Sequence, residues 1–193
     1  MNSNRGFLVA ALLLASGPWA NAQALRYDID PTHTFPSFEA DHMGLSVWRG
    51  KFNQSKGVVM LDKAGGSGEV DITIETDSVD FGLASMNNMA KSAQIFDAKR
   101  FEQIRYKGKL ADFVDGKPTR VVGELDLHGQ KRPVTLNINA FNCKPHPLFK
   151  REICGADASA SLNREEFGID AGKSYGFKMD VLLRIQVEAL AEH

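Results

Sequence analysis

Cysteine is scarce in this chain of 193 residues: there are two, Cys143 and Cys154, and none before them. They are not in Cys-x-x-Cys spacing, so a thiol redox role has no footing. Long apolar runs are scarce as well. The longest, Gly6 to Ser16, is too short to cross a hydrocarbon layer ~30 Å thick, so no stable membrane insertion is expected. Excess charge of either sign is absent: 23 Lys and Arg stand against 24 Asp and Glu, a net of −1. Without a basic stripe, nucleic acid is excluded as an expected partner.

Signatures of catalysis are missing too. A serine hydrolase would carry Gly-x-Ser-x-Gly, but the nearest contexts, Gly44-Leu45-Ser46-Val47-Trp48 and the Gly65 to Gly68 turn, do not fit it. His33, His42, His128, His146 and His193 share no metal-ligand spacing. No phosphate loop, dinucleotide fingerprint or haem-attachment run occurs. The expectation is a protein that is not an enzyme, with no catalytic residue, no metal and no cofactor.

What the sequence does contain begins with its first 22 residues. Met1 to Arg5 is a polar start with one cation, Gly6 to Ser16 is apolar, and Ala20-Asn21-Ala22 has the small-x-small pattern of a cleavage site. Residues 1–22 read as a secretory signal peptide cleaved near Ala22, leaving 23–193 as one soluble exported domain. The first cysteine lies far beyond the cleavage point, so no lipid anchor is expected. In an exported chain Cys143 and Cys154 are read as a disulfide tying the neck of an irregular loop.

Beyond the signal, apolar and polar residues alternate with period two, the mark of half-buried strands. Phe177, Met179, Val181, Leu183, Ile185, Val187 and Ala189 fall on one face of the C-terminal segment; Lys178, Asp180, Arg184, Gln186 and Glu188 fall on the other. The pattern predicts about eight strands, near 25–30, 34–43, 47–62 (bent at Gly57), 69–76, 101–113, 118–128, 133–142 and 155–162, with 176–190 as a further long one that could close the sheet. Gly- and Asp-rich turns join them, which points to an all-β, eight-stranded antiparallel barrel. One short helix is predicted over Ser85 to Lys99, with Ser85 as its N-cap.

A barrel of eight strands either fills its interior or holds one small ligand. Large, adaptable apolar side chains are numerous here: Phe38, Phe52, Phe81, Phe96, Phe101, Tyr106 and Phe177, with Met43, Met86, Met89 and Met179. The alternation sets Phe38 and His42 on one face, Ile104 with Tyr106, and Val181 with Leu183. The candidate cavity walls are therefore Phe38, His42, Phe52, Phe81, Met86, Met89, Phe96, Phe101, Ile104, Tyr106, Phe177, Val181 and Leu183. Such a cavity suits an elongated lipophilic small molecule. His33 is expected to fix the first corner, and Arg164 to form a surface or corner ion pair.

Six ordered segments resemble the YceI-like family of bacterial exported proteins. They are Tyr27-Asp28-Ile29-Asp30-Pro31-Thr32-His33-Thr34 with Phe38 and His42-Met43-Gly44; Gly50-Lys51-Phe52 with Gly57 and Asp62; Ser78-Val79-Asp80; Phe96 to Phe101; Gly123 to Val134; and Leu162 to Ile169. The resemblance implies a lipocalin-like barrel in the bacterial periplasm whose cavity binds a polyisoprenoid lipid, a quinone tail or a similar amphiphile. Three features depart from the family pattern. Arg100-Phe101 replaces an aromatic and a proline, the helix Met86-Asn87-Asn88-Met89 lacks the acidic pattern, and the cysteine pair is extra. Two alternatives stay open: a scavenger of hydrophobic drugs or stress-related molecules, and an accessory enzyme in isoprenoid-quinone metabolism or electron transfer. Whether the barrel forms a homodimer is also open.

Overall fold

The computed structural model describes residues 23–192, so the signal peptide lies outside the described residues. The alternating segments form β1 (Leu25–Ile29), β2 (Phe35–His42), β3 (Ser46–Phe52), β4 (Ser55–Asp62), β5 (Ser67–Glu75), β6 (Val79–Asp80), β7 (Gln103–Ala111), β8 (Arg120–Leu127), β9 (Gln130–Pro145), β10 (Glu152–Asn163) and β11 (Asp180–Ala191), with helix α1 (Ala84–Lys91) between β6 and β7. All pairings are antiparallel. The ladder runs β1-β4-β5-β7-β8-β9-β10-β11 and closes where Tyr27 to Ile29 pair with Ala189 to Ala191, giving a closed eight-stranded barrel.

The remaining three segments extend barrel strands past a break. β2 lies beside the first half of β11, β3 pairs with β2, and β6 pairs with β3. The β1/β2 break falls at Asp30 to Thr34, where Pro31 has no N–H to give the ladder. Asp30 organises this corner by accepting from the Thr32 N–H at 2.8 Å and meeting His33 Nδ1 at 2.8 Å. The β5/β6 break is a 3₁₀ turn, Thr76–Ser78. The β3/β4 break falls at Asn53-Gln54 and not at Gly57, which sits inside β4 opposite Ile72.

Two other expected boundaries shift. Helix α1 starts after Leu83, which makes no side-chain cap, and ends at Lys91, where Ser92 leaves in an extended conformation. The N–H groups of Phe96 and Ala98 then fold back onto the Ala90 and Lys91 carbonyls, so residues 92–101 form turns and not more helix. The last strand starts at Asp180. Gly172 and Gly176 take φ of +82° and +86° around a 3₁₀ turn, which leaves Phe177 on a loop.

The two ends of the barrel differ. At one end Tyr27, Leu61 and Leu110 fill the interior, and Tyr27 is 1% exposed. Its hydroxyl donates to Glu152, which Lys63 also meets at 2.7 and 2.8 Å. Burial and this carboxylate push the phenol of Tyr27 upward. Burial alone would raise Glu152, but the Lys63 and Tyr27 hydrogen bonds outweigh it and hold the carboxyl below its ordinary value. The Cys143–Cys154 disulfide lies here. Its residues pair directly across the β9–β10 ladder, so it staples a regular hairpin and not the neck of an irregular loop. At the other end the β5–β7 ladder stops at Glu75 and Gln103, β6 pairs among the described residues with β3 alone, and α1 with its flanking turns spans the gap.

Candidate ligand-binding cavity

The second end is hollow. Residues of β2, β3, β5, β7, β8, β9, β10 and β11, with residues 81–96 and the 164–177 loop, line a cavity of about 250 Å³. Its walls are apolar nearly throughout; the ionisable groups among the lining residues are Asp41, Tyr106 and Arg164. An engineered apolar cavity of ~150 Å³ takes up benzene, so this one has room for roughly ten carbons.

Four phenylalanines line one side. Phe38 stands 5.5 Å from Phe81 edge to face, 5.8 Å from Phe52 and 6.2 Å from Phe96, and Phe52 is 5.5 Å from Phe96. Edge-to-face aromatic packing of this kind adds to the stability from area burial alone. The cluster depends on Gly50, because a Cβ there would lie 2.5 Å from the Phe38 ring. On the opposite wall Tyr106 is buried, with its hydroxyl 2.8 Å from the Val134 carbonyl and 3.2 Å from that of Val121. Burial pushes that phenol upward, so it is a neutral group committed to the wall. Gly123 gives it room: a Cβ there would sit 2.7 Å from the ring and 2.4 Å from the Lys107 carbonyl.

Of the thirteen residues expected as walls, the structure brings ten to this cavity: Phe38, Phe52, Phe81, Met86, Phe96, Ile104, Tyr106, Phe177, Val181 and Leu183. Three lie elsewhere. Met89 is one position short of the turn that would stack it with Met86; Ala90 takes the inward place, and Met89 is 47% exposed. Phe101 packs in the β8–β9 corner, with its ring 4.5 Å from that of His128 and against Gly129. His42 follows the parity of Phe38 and Ala40 but lies past the end of the wall, where its ring stacks on Trp48 at 4.0 Å and meets Phe177 at 5.0 Å. Met43, at the β2–β3 turn, is also exposed.

Several lining residues are not among the thirteen expected. Ile72, Ile74, Leu125, Leu127, Val134 and Leu136 all lie on the inward face of strands that were recognised, and the alternation was signal enough to name them. Arg164 had no such signal. It makes no ion pair among the described residues; its guanidinium donates to the Ile169 carbonyl at 3.1 Å and the Ala171 carbonyl at 2.7 Å, and it faces the cavity.

Two other features stand apart from this cavity. A larger, open groove of about 470 Å³ crosses β9, β10 and β11, where Phe141, Ile153 and Val187 are interspersed with Asn142, Lys144, Asp157, Gln186 and Glu188. Among the described residues, Cys143, Glu152 and Cys154 are the group whose donor atoms lie close enough for a metal, and the two sulfurs are bonded to each other. Among the described residues no helix is long and apolar enough to cross a membrane.

Known proteins resemble this chain over most of its length. "Protein YceI" of Salmonella arizonae is 29% identical over 192 residues, covering 97% of this chain and 96% of that protein. Burkholderia cenocepacia BcnA superposes with a TM-score of 0.66 at 17% identity, over 83% of this chain and 98% of that one. A polyisoprenoid-binding domain from Saccharophagus degradans, implicated in plant cell wall breakdown, superposes with a TM-score of 0.62 at 17% identity, over 87% of this chain and 99% of its own. At such identities the superpositions establish the shared fold. The model of the YceI-like domain matches residues 27–189, nearly all of the barrel, and the chain belongs to that family.

Proposed function

We propose that this protein binds an elongated lipophilic molecule in the hollow end of its barrel, with a polyisoprenoid lipid or quinone tail as the ligand class. It acts as a carrier or reservoir in the periplasm and makes no covalent change to its cargo. The observation that carries this reading is the cavity itself: room for roughly ten carbons behind walls of Phe, Ile, Leu and Val. An apolar void of this size gains ~0.8 kcal/mol for each methylene taken out of water, before the costs of binding. The fold shared with the Saccharophagus degradans polyisoprenoid-binding domain supports the ligand class. The apolar run and cleavage pattern in residues 1–22 support export.

The test is purification from the native host without detergent, followed by native mass spectrometry and organic extraction. A bound prenyl chain is the expected result. Protein that emerges empty and also refuses polyprenyl and quinone probes would overturn the proposal. Fractionation of the same cells checks the compartment, with release by osmotic shock as the expected outcome.

A further inference from the structure

The cavity is largely apolar, and on the loop that follows β10 Arg164 forms part of its wall. Two N–H groups of its guanidinium are spent on the Ile169 and Ala171 carbonyls, which belong to cavity-lining residues. These bonds hold the plane of the fork in place. An arginine has five N–H donors, so three are left over. Among the described residues no carboxylate forms an ion pair with it; Asp170 acts on it as a nearby charge. Burial lowers the guanidinium from its ordinary value, yet arginine keeps its charge in proteins.

A half-buried cation anchored by neutral carbonyls therefore borders an apolar void, with Asp170 as a nearby counter-charge but no carboxylate bonded to it among the described residues. Such a group gains most from an oxyanion, which a guanidinium can grip with two parallel hydrogen bonds. The other charged residue of the lining, Asp41, is already occupied: its carboxylate accepts from the Gly44 N–H at 2.9 Å and lies 3.5 Å from the Lys178 N–H.

We propose that Arg164 is the head-group anchor of the cavity and selects amphiphiles with an oxyanionic head, such as a prenyl phosphate, over neutral or cationic ones with the same tail. This rests on the reading of the cavity as a tail-binding site. The tail fills the space among Phe38, Phe52 and Phe96, and the head lies at the 164–171 turn.

Calorimetric titration with three ligands sharing a ten-carbon tail tests it: geranyl monophosphate, geraniol and geranylamine. The phosphate should bind at least about tenfold more tightly than geraniol, the amine more weakly than geraniol, and inorganic phosphate alone should not bind. Arg164→Gln should erase the ratio of phosphate to geraniol affinity, and Arg164→Lys should retain part of it. Because Arg164 also pins the turn, the ranking by the unmodified protein decides the matter even if a variant fails to fold. Equal affinities, or a preference for the amine, would overturn the assignment while leaving tail binding intact. Binding of inorganic phosphate alone would reduce the site to a free-anion site and overturn it too. If no geranyl compound binds, the tail-binding reading falls first and takes this one with it.

Discussion

Phe38→Ala tests whether the cavity wall measures the length of the tail. The ring of Phe38 sits at the centre of the aromatic cluster, within about 6 Å of three other phenyl rings, and borders the cavity directly. Removing it adds space for about one benzene, enlarging the void from about 250 Å³ to roughly 400 Å³, or from about ten carbons to about sixteen. That is one more isoprene unit. The loss of stability should be about 2–3 kcal/mol, below the ~3–5 typical of Phe→Ala in a filled core, because the ring already abuts a void on one side. Competition binding with geraniol, farnesol and geranylgeraniol provides the assay. In the unmodified protein affinity should rise to the ten-carbon tail and then level off; in Phe38→Ala it should rise again at farnesol before levelling. Each isoprene unit buried is worth at most about 4 kcal/mol, so even a partial gain gives a tenfold change. A plateau at the same length in both proteins would refute the idea that this wall limits the tail.

Further predictions concern the filled end, the link to α1 and the gap in the wall. Reducing the Cys143–Cys154 bond, or replacing both cysteines with serine, should lower stability by up to about 3 kcal/mol, since the bond closes a loop of 11 residues' separation; urea denaturation with and without dithiothreitol measures it, and geraniol affinity at the far end should not change. Asp80 accepts from the Gly82 N–H, the Asn87 amide and the Asn53 amide, which hold its carboxyl at about 2. Because that value lies below the ~3.9 of an unfolded aspartate, the unfolded chain binds more protons in between. Its contribution is thus complete above about pH 4 and is lost as the pH falls toward 2. Asp80→Asn should flatten the pH dependence of unfolding in that window, and an unchanged profile would count against the network. Amide hydrogen exchange in α1 should outpace that in β9, β10 and β11, because α1 spans a stretch of wall that lacks a ladder.

The barrel was legible because its chemistry is local. A strand buried on one face must alternate, and Val181, Leu183 and Ile185 do so whatever lies opposite them. Most of the cavity followed, since parity alone places Phe38, Ile104 and Tyr106 on the inner face. The failures have a common cause in contacts that no local pattern encodes. The break at Asn53-Gln54 has neither proline nor glycine to announce it. In a helix of two turns, one residue of phase separates the inward Met86 from the exposed Met89. Phe101 was drawn to a corner made by His128 and Gly129, far along the chain. Arg164 looked like a charge in search of a carboxylate because its actual partners are backbone carbonyls, which a sequence does not display.

One closed sheet is solid at one end and hollow at the other, and backbone pairing explains why. Around Tyr27 the ladder is complete: β1 bonds β4 on one side and β11 on the other, so the wall holds a fixed circumference that side chains can fill. Beyond the three breaks, β2, β3 and β6 continue the wall, yet among the described residues no ladder joins β6 to β7. A barrel released from one ladder is free to widen, and the space gained exceeds what the inward side chains occupy. The gap is then covered by a helix and turns, attached through Asn87 to Asp80 and through the N–H of Phe81 to the Asn87 side chain. A hydrogen-bonded wall would have fixed the width of this end; a wall of packed side chains can adjust to its contents.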